Sequence, residues 1–189
     1  MGLIPLIEAI MERRSVRFYE PKPVPRDIMQ TIIQAGNLAP SGANAQQWRF
    51  VVVENEDFRK KLADLALPRY KRWIENAPEQ FKAMRAEIDA VAHDPVYYSA
   101  PAIVFIIGTG MTADYDCPMV CENMMIAATS LGIGSCWVFF GQLVLNDQEV
   151  RNSLGLVEGE KVYGPILLGY PKENLPERAS KKDPVIKWL

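Results

Sequence analysis

The stretch "LAPSGANAQQWRFVVVEN", Leu38–Asn55, holds a change of period. Upstream of it, the apolar residues of "VPRDIMQTIIQAGNLAP" recur at helical spacing, with Ile28, Ile32 and Ala35 on one face until Gly36 and Pro40 end the helix. Downstream, "WRFVVVE" is a run of β-branched and aromatic residues and reads as a buried strand. Between the two lies a Pro-Ser-Gly-Ala-Asn turn followed by a pair of amides, Gln46 and Gln47. A helix handing over to a strand through a polar turn marks a mixed α+β chain. A turn that only ends a helix accounts for Pro40 and Gly42 but leaves Asn44, Gln46 and Gln47 unexplained.

The same alternation of period extends in both directions. "PLIEAIMERR" places Leu6, Ile7, Ile10 and Met11 on one face of a first short helix, and the prolines of "SVRFYEPKPVP" hold the following segment extended. Asn55 is placed to cap a helix from about Asp57 to Ala66, and a charged, mostly helical stretch follows from Pro68 to Ala92 with a break at Pro78. "PAIVFIIGTG" reads as a core strand. "DYDCPMVCENMMIAATSLGIG" reads as a long helix closed by Gly132 and Gly134, with Met119, Val120, Met124, Met125, Ala127, Ala128 and Leu131 as candidates for burial around it. "SCWVFF" and "KVYGPILLGYP" read as further strands with a helix from Asp147 to Leu154 between them. No repeat or linker interrupts the chain, so residues 1–189 are expected to form one domain. The apolar ending "VIKWL" calls for a surface to pack against, which suggests a partner subunit.

Composition narrows the function. A chain of 189 residues with 49% hydrophobic content can bury a substantial core. Its net charge of -2 arises from interspersed acids and bases, which favours neither nucleic acid nor an anionic membrane as partner. The apolar runs are too short to span a bilayer and Met1–Ile10 carries no basic leader, so a cytoplasmic location is expected. The cysteines Cys117, Cys121 and Cys136 are too few for a disulfide framework and read as free thiols. The one histidine, His93, reads as a surface residue at a helix end, and leaves no base for a serine or cysteine triad and no histidine-rich metal site. No Rossmann or P-loop glycine fingerprint is present.

What remains is a set of cationic and amide groups. "RRSVR" concentrates Arg13, Arg14, Ser15 and Arg17 at a helix-to-strand junction. Guanidinium forks beside a hydroxyl suit a phosphate held in a fixed orientation, and the same run also suits a solvated helix end, where cations meet the negative pole of the dipole.

"MERRSVRFYEPKPVP" followed by "APSGANAQQWRFVVVE", then "ENMMIAATSLGIGSCWV" and "GPILLGYP", resembles the nitroreductase family of flavoproteins in four blocks taken in order. The resemblance implies a three-layer α+β sandwich with a central, mainly antiparallel sheet flanked by helices. It also implies a homodimer in which the C-terminal segment is exchanged and FMN lies at the interface. It assigns Arg13, Arg14, Ser15 and Arg17 to one side of the FMN, with Arg13 and Ser15 near the phosphate and Arg17 near the pyrimidine edge of the ring. Pro40, Ser41, Gly42 and Asn44 are assigned to the approach from the other subunit with Gln46 close by, and Trp137, Val138 and Phe139 to the strand beside the isoalloxazine. The tail resembles the basic, tryptophan-containing ending of smaller members, and leaves Arg178, Lys181 and Lys182 as alternatives for the phosphate contact.

The implied activity is a ping-pong oxidoreductase, with hydride passing from NAD(P)H through flavin N5 to a nitroaromatic, a quinone or a similar electron-poor small molecule. Arg17 is the candidate catalytic group, tuning the flavin by favouring negative charge at its pyrimidine side. Other flavin chemistry known in the superfamily, such as dehalogenation or enone reduction, and flavin binding without turnover are the alternatives.

Overall fold

The computed structural model describes residues 5–92, 94–172 and 180–189. The helices are α1 (Leu6–Glu12), α2 (Arg26–Asn37), α3 (Glu56–Glu75), α4 (Glu79–Val91), α5 (Ala113–Ser130) and α6 (Gln148–Ser153). The strands are β1 (Trp48–Val53), β2 (Ala102–Gly108), β3 (Gly134–Trp137) and β4 (Lys161–Gly169). The four strands form one sheet in the order β1-β2-β4-β3, and every neighbouring pair is antiparallel.

The alternation of β2 sorts the core into two layers, because successive side chains of a strand point to opposite faces. Ala102, Val104 and Ile106 pack with α2 and α5, whereas Ile103, Phe105 and Ile107 pack with α3, α6 and the 139–146 segment. All seven residues of β2 are buried, as expected for a central strand covered on both faces. Strand β4 follows the same division despite a one-residue register shift, with Val104 opposite Ile166 but Ile106 opposite Tyr163. Gly164 supplies the left-handed φ of +92° at this irregularity. The result is the expected three-layer arrangement.

Several boundaries differ from the sequence reading. The first strand, expected to be buried, lies at a sheet edge and only Val53 is fully covered. Gly36 does not end α2. It sits buried inside that helix, where a Cβ would come within 2.5 Å of Met124 Cγ on α5, so the absent side chain permits a close helix crossing. Helix α3 runs through Pro68 instead of stopping near Ala66, because Leu62, Ala66 and Tyr70 bury one face on both sides of the proline. Asn55 caps α3, accepting from Phe58 N at 2.8 Å.

"SCWVFF" does not remain a strand to its end. β3 stops at Trp137, and Phe139–Asn146 form a 3₁₀ segment. That segment is fixed from outside: Tyr97 Oη donates to Gly141 O at 2.9 Å and Gln142 Nε2 donates to Gly164 O at 3.0 Å. Helix α5 is not enclosed on every side. Val120, Met124, Met125 and Ala128 are buried and Ala127 and Leu131 half-buried, but Met119 is 38% exposed and lies on the same open face as Tyr115 and Glu122. No helix among the described residues is long and apolar enough to cross a membrane.

Candidate functional site

Helix α1 ends at Arg13, whose ψ of 132° turns the chain into an extended segment. That segment docks on β3 through a parallel bridge between Ser15 and Ser135, with Val16 N donating to Ser135 O at 2.9 Å. Gly134 allows the docking, since a Cβ there would meet Val16 Cγ1 and Cγ2 at 2.9 Å. An extended backbone alternates its side chains, and the arginines separate accordingly. Arg13 reaches Glu122 on α5, with Nε 3.4 Å from Oε1. Arg17 donates from Nη1 to Ser15 O at 3.4 Å and holds its Cζ 5.9 Å from the centre of the Tyr98 ring. Arg14 borders a different cavity of about 320 Å³, shared with Glu8, Glu12 and Pro171.

Two polar atoms in this region are buried without a hydrogen-bond partner among the described residues: Arg17 Nε and Ser135 Oγ. A buried donor is ordinarily satisfied, so Arg17 Nε stands out among the described residues as a donor left without an acceptor.

The amide turn is held at the other end of α5. Gly42 N points at the Asp116 carboxylate, 3.3 Å from Oδ1, and Thr112 Oγ1 donates to Asp116 Oδ2 at 2.7 Å. Asp116 is only 4% exposed, and a Cβ on Gly42 would lie 2.7 Å from Thr112 Cγ2. Within the turn Ala43, Asn44 and Gln46 all adopt left-handed φ, at 51°, 55° and 49°. Such residues cost on the order of 1 kcal/mol each and persist where surrounding bonds impose them. Gln46 N donates to Ser41 Oγ at 3.1 Å, and Gln46 Nε2 to Asn44 Oδ1 at 2.9 Å. These bonds explain part of the amide content locally. Gln47 is structural: its carbonyl accepts from Thr109 N at 3.0 Å, and its side chain lies over Gly110. Pro40, Gly42, Asn44 and Gln46 nevertheless stand exposed, and Ser41 is half-buried.

Trp137 and Phe139 are 42% and 55% exposed, whereas Val138 is buried in the core, so only its backbone could meet a ligand. Within one chain Arg13, Ser15 and Arg17 of the arginine run are joined to the amide turn by no hydrogen bond or ion pair among the described residues. Lys181 and Lys182 are exposed, along with the whole 180–189 stretch, while Arg178 and His93 lie outside the described residues.

The cysteines take no part in an open site. All three are free and buried, and burial pushes Cys117 up to about 11 and Cys121 up to about 12. Burial also raises Cys136, against the opposing influence of Arg17 and of a hydrogen bond from Ser15. No cluster of His, Cys, Asp and Glu able to hold a metal occurs among the described residues.

The Nitroreductase family model matches residues 10–170, a span that includes the arginine run, the amide turn and the Trp137–Phe139 segment. The chain belongs to the nitroreductase family.

A nitroreductase of Bacteroides fragilis with bound FMN shares the fold at a TM-score of 0.78 and 34% identity, with 98% of this chain covering 99% of that one. The NADPH-flavin oxidoreductase of Vibrio harveyi is 30% identical over 177 residues, 89% of this chain and 66% of that protein. The FMN reductase (NAD(P)H) of Bacillus subtilis is 27% identical over 182 residues, 92% and 71% of the two chains. The family match stops short of the basic tail, so Arg178, Lys181 and Lys182 lie beyond it.

Sequence reasoning did not single out Tyr98, Asp116 or Ser135. Asp116 and Ser135 sit in segments read only as helix and strand, and Tyr98 sits in a short turn without periodicity.

Proposed function

We propose that residues 1–189 form one FMN-binding domain, and that two copies make an NAD(P)H-dependent oxidoreductase acting on nitroaromatics, quinones or similarly electron-poor small molecules. The observation that carries this reading is the family match over residues 10–170, which spans the arginine run and the amide turn, beside the 34% identical structure with bound FMN. Within that span Arg17 keeps an Nε that bonds no acceptor among the described residues. The carbonyl-rich pyrimidine edge of a flavin is an acceptor of the right kind, and a guanidinium there favours negative charge on the ring. When bound, FMN supplies a two-electron carrier between a reduced nicotinamide and an acceptor.

The chain's own groups bind, orient and exclude. Arg13, steadied by Glu122 at 3.4 Å, and Ser15 hold the phosphate end, while Arg14, assigned there by the sequence, borders the separate cavity with Glu8 and Glu12. Pro40, Ser41, Gly42, Asn44 and Gln46 approach from the partner subunit on an exposed turn whose shape is fixed by its left-handed residues. Trp137, the Val138 backbone and Phe139 flank the ring and keep water from it. The exposed tail crosses to the partner, where one of Arg178, Lys181 and Lys182 completes the phosphate contacts. No side chain has to form a covalent bond or deliver a proton, because water can protonate the product.

The test is to denature the purified protein, identify the released flavin by chromatography, and mix the holoprotein anaerobically with NADH and NADPH in a stopped-flow cell. One FMN per chain and bleaching by a nicotinamide are expected. FAD, or no flavin after reconstitution with FMN, overturns the assignment; FMN that neither donor bleaches points to flavin binding without turnover.

A further inference from the structure

Arg85, on α4, is the one buried cation among the described residues. Its guanidinium gathers three segments. Nε donates to Tyr70 Oη at 3.0 Å, Nη1 to Tyr98 Oη at 2.7 Å, and Nη2 to Asp89 Oδ1 at 3.0 Å and Pro95 O at 2.9 Å. Its Cζ also lies 5.9 Å from the Tyr98 ring centre, the same distance as Arg17 Cζ, so one tyrosine ring contacts two guanidinium groups.

Tyr98 is an unusual residue to find in this position. It is buried, and both it and Ser99 have φ of +52°, a conformation that bulky side chains avoid. The turn is imposed by Asp94, whose Oδ1 accepts from Val96 N at 3.0 Å and Tyr97 N at 2.9 Å while Oδ2 accepts from Ser99 N at 3.2 Å. Arg59 Nη1 closes the far side on Ala100 O at 2.8 Å. Strained residues held by so many bonds point to a required placement, and the placement achieved is a ring against Arg17.

We propose that Tyr98, anchored by Arg85, is a positioning residue that aims the Arg17 guanidinium into the flavin site. This rests on the FMN reading above. The ring offers its negative face to Arg17 and restricts the rotamers of that long side chain, which fixes where its guanidinium can reach. Arg85 acts one step further out, by holding the phenol oxygen and the Pro95 carbonyl together.

A double-mutant cycle tests the assignment through FMN dissociation constants measured by fluorescence, with thermal unfolding of the apoprotein as control. Tyr98→Leu is expected to weaken FMN binding about threefold to thirtyfold, the range for losing one cation–π contact. The same change in an Arg17→Gln background, which lacks the cation, is expected to have much less effect. If Tyr98→Leu does not fold, Arg85→Lys serves instead, since a lysine keeps the charge but cannot reach the same four oxygens at once; the same loss, and the same dependence on Arg17, is expected. Unchanged FMN affinity, or an equal loss with and without Arg17, shows a purely structural Tyr98 and overturns the proposal. Failure of the parent protein to bind FMN instead overturns the functional reading beneath it.

Discussion

The Gly42 amide lies 3.3 Å from the carboxylate of Asp116, seventy-four residues further along the chain, and this contact ties the exposed amide turn to the start of α5. Asp116→Ala would strand the Gly42 N–H and the Thr112 hydroxyl together. We expect it to lower stability by about 1–3 kcal/mol in urea unfolding, the scale for leaving buried donors unpaired. FMN retention should fall as well, because the left-handed residues of the turn lose the bond that fixes their entry. A variant with parental stability and full flavin content would show that the turn holds its shape without α5.

Arg49 and Glu160 give a pH-dependent prediction. Arg49 donates from Nε and Nη2 to the two Glu160 oxygens at 2.8 and 2.7 Å, and from Nη1 to Leu154 O at 3.1 Å, clamping edge strand β1 to the loop before β4. The hydrogen bond from Arg49 holds the Glu160 carboxyl below the usual glutamate range. A depressed native value means that the contribution is complete above the ordinary glutamate pKa and lost as pH falls through the native one. Arg49→Met should therefore cost about 1–2 kcal/mol near neutral pH, discounted because the arginine is partly exposed, and less below pH 4. Chemical denaturation at pH 7 and pH 3.5 measures the difference; an equal loss at both would refute the pairing.

The thiols should be inert in the folded protein. Cys117, Cys121 and Cys136 are buried, with the first two raised to about 11 and about 12 by loss of hydration. An aromatic disulfide reagent at pH 8 should label none of them within minutes and all three after unfolding. Rapid labelling of Cys117 in the native state would mean that the N-terminal part of α5 opens readily.

The tail prediction concerns assembly. Val185, Trp188 and Leu189 are 102%, 88% and 107% exposed on a single chain, and each large apolar side chain gains roughly 1.5–3 kcal/mol on full burial. Truncation after Asn174 should leave a species of monomer mass by light scattering, with FMN content well below one per chain. A truncated chain that stays dimeric and fully loaded would exclude the tail from both roles.

The sequence made the sandwich legible because period and composition agree over long runs: β2 is continuously apolar, α2 is amphipathic, and Asn55 caps where a cap was expected. It misled where distant groups decide. "FFGQLVLN" has strand composition, and its 3₁₀ course is set by Tyr97 and Gly164, neither of them a neighbour in sequence. Pro68 reads as a stop until the buried face on both sides of it is seen. The arginine run and the amide turn were visible as unusual polar clusters. Their orientation was not: the Asn44–Gln46 pairing, the diversion of Arg14 to a separate cavity and the left-handed Tyr98 all depend on backbone angles that non-glycine residues do not advertise.

The irregularity in β4 divides that strand into two phases. On one side of Gly164, Ile166 and Leu168 face α5; on the other, one residue out of step, Tyr163 does, with its hydroxyl donating to Asp114 at 2.6 Å. Deleting Pro165, the one residue between Gly164 and Ile166, would remove the irregularity and merge the phases, leaving Tyr163 opposite Ile106 and Val162 opposite Ile107 but taking away the carbonyl that Val138 N meets at 3.0 Å. A residue added to the turn at 157–160 disturbs neither phase. Length variation in natural or designed relatives should accordingly be tolerated before β4 and rejected inside it, where Gly164 and Pro165 also offer their carbonyls to Gln142 and Val138.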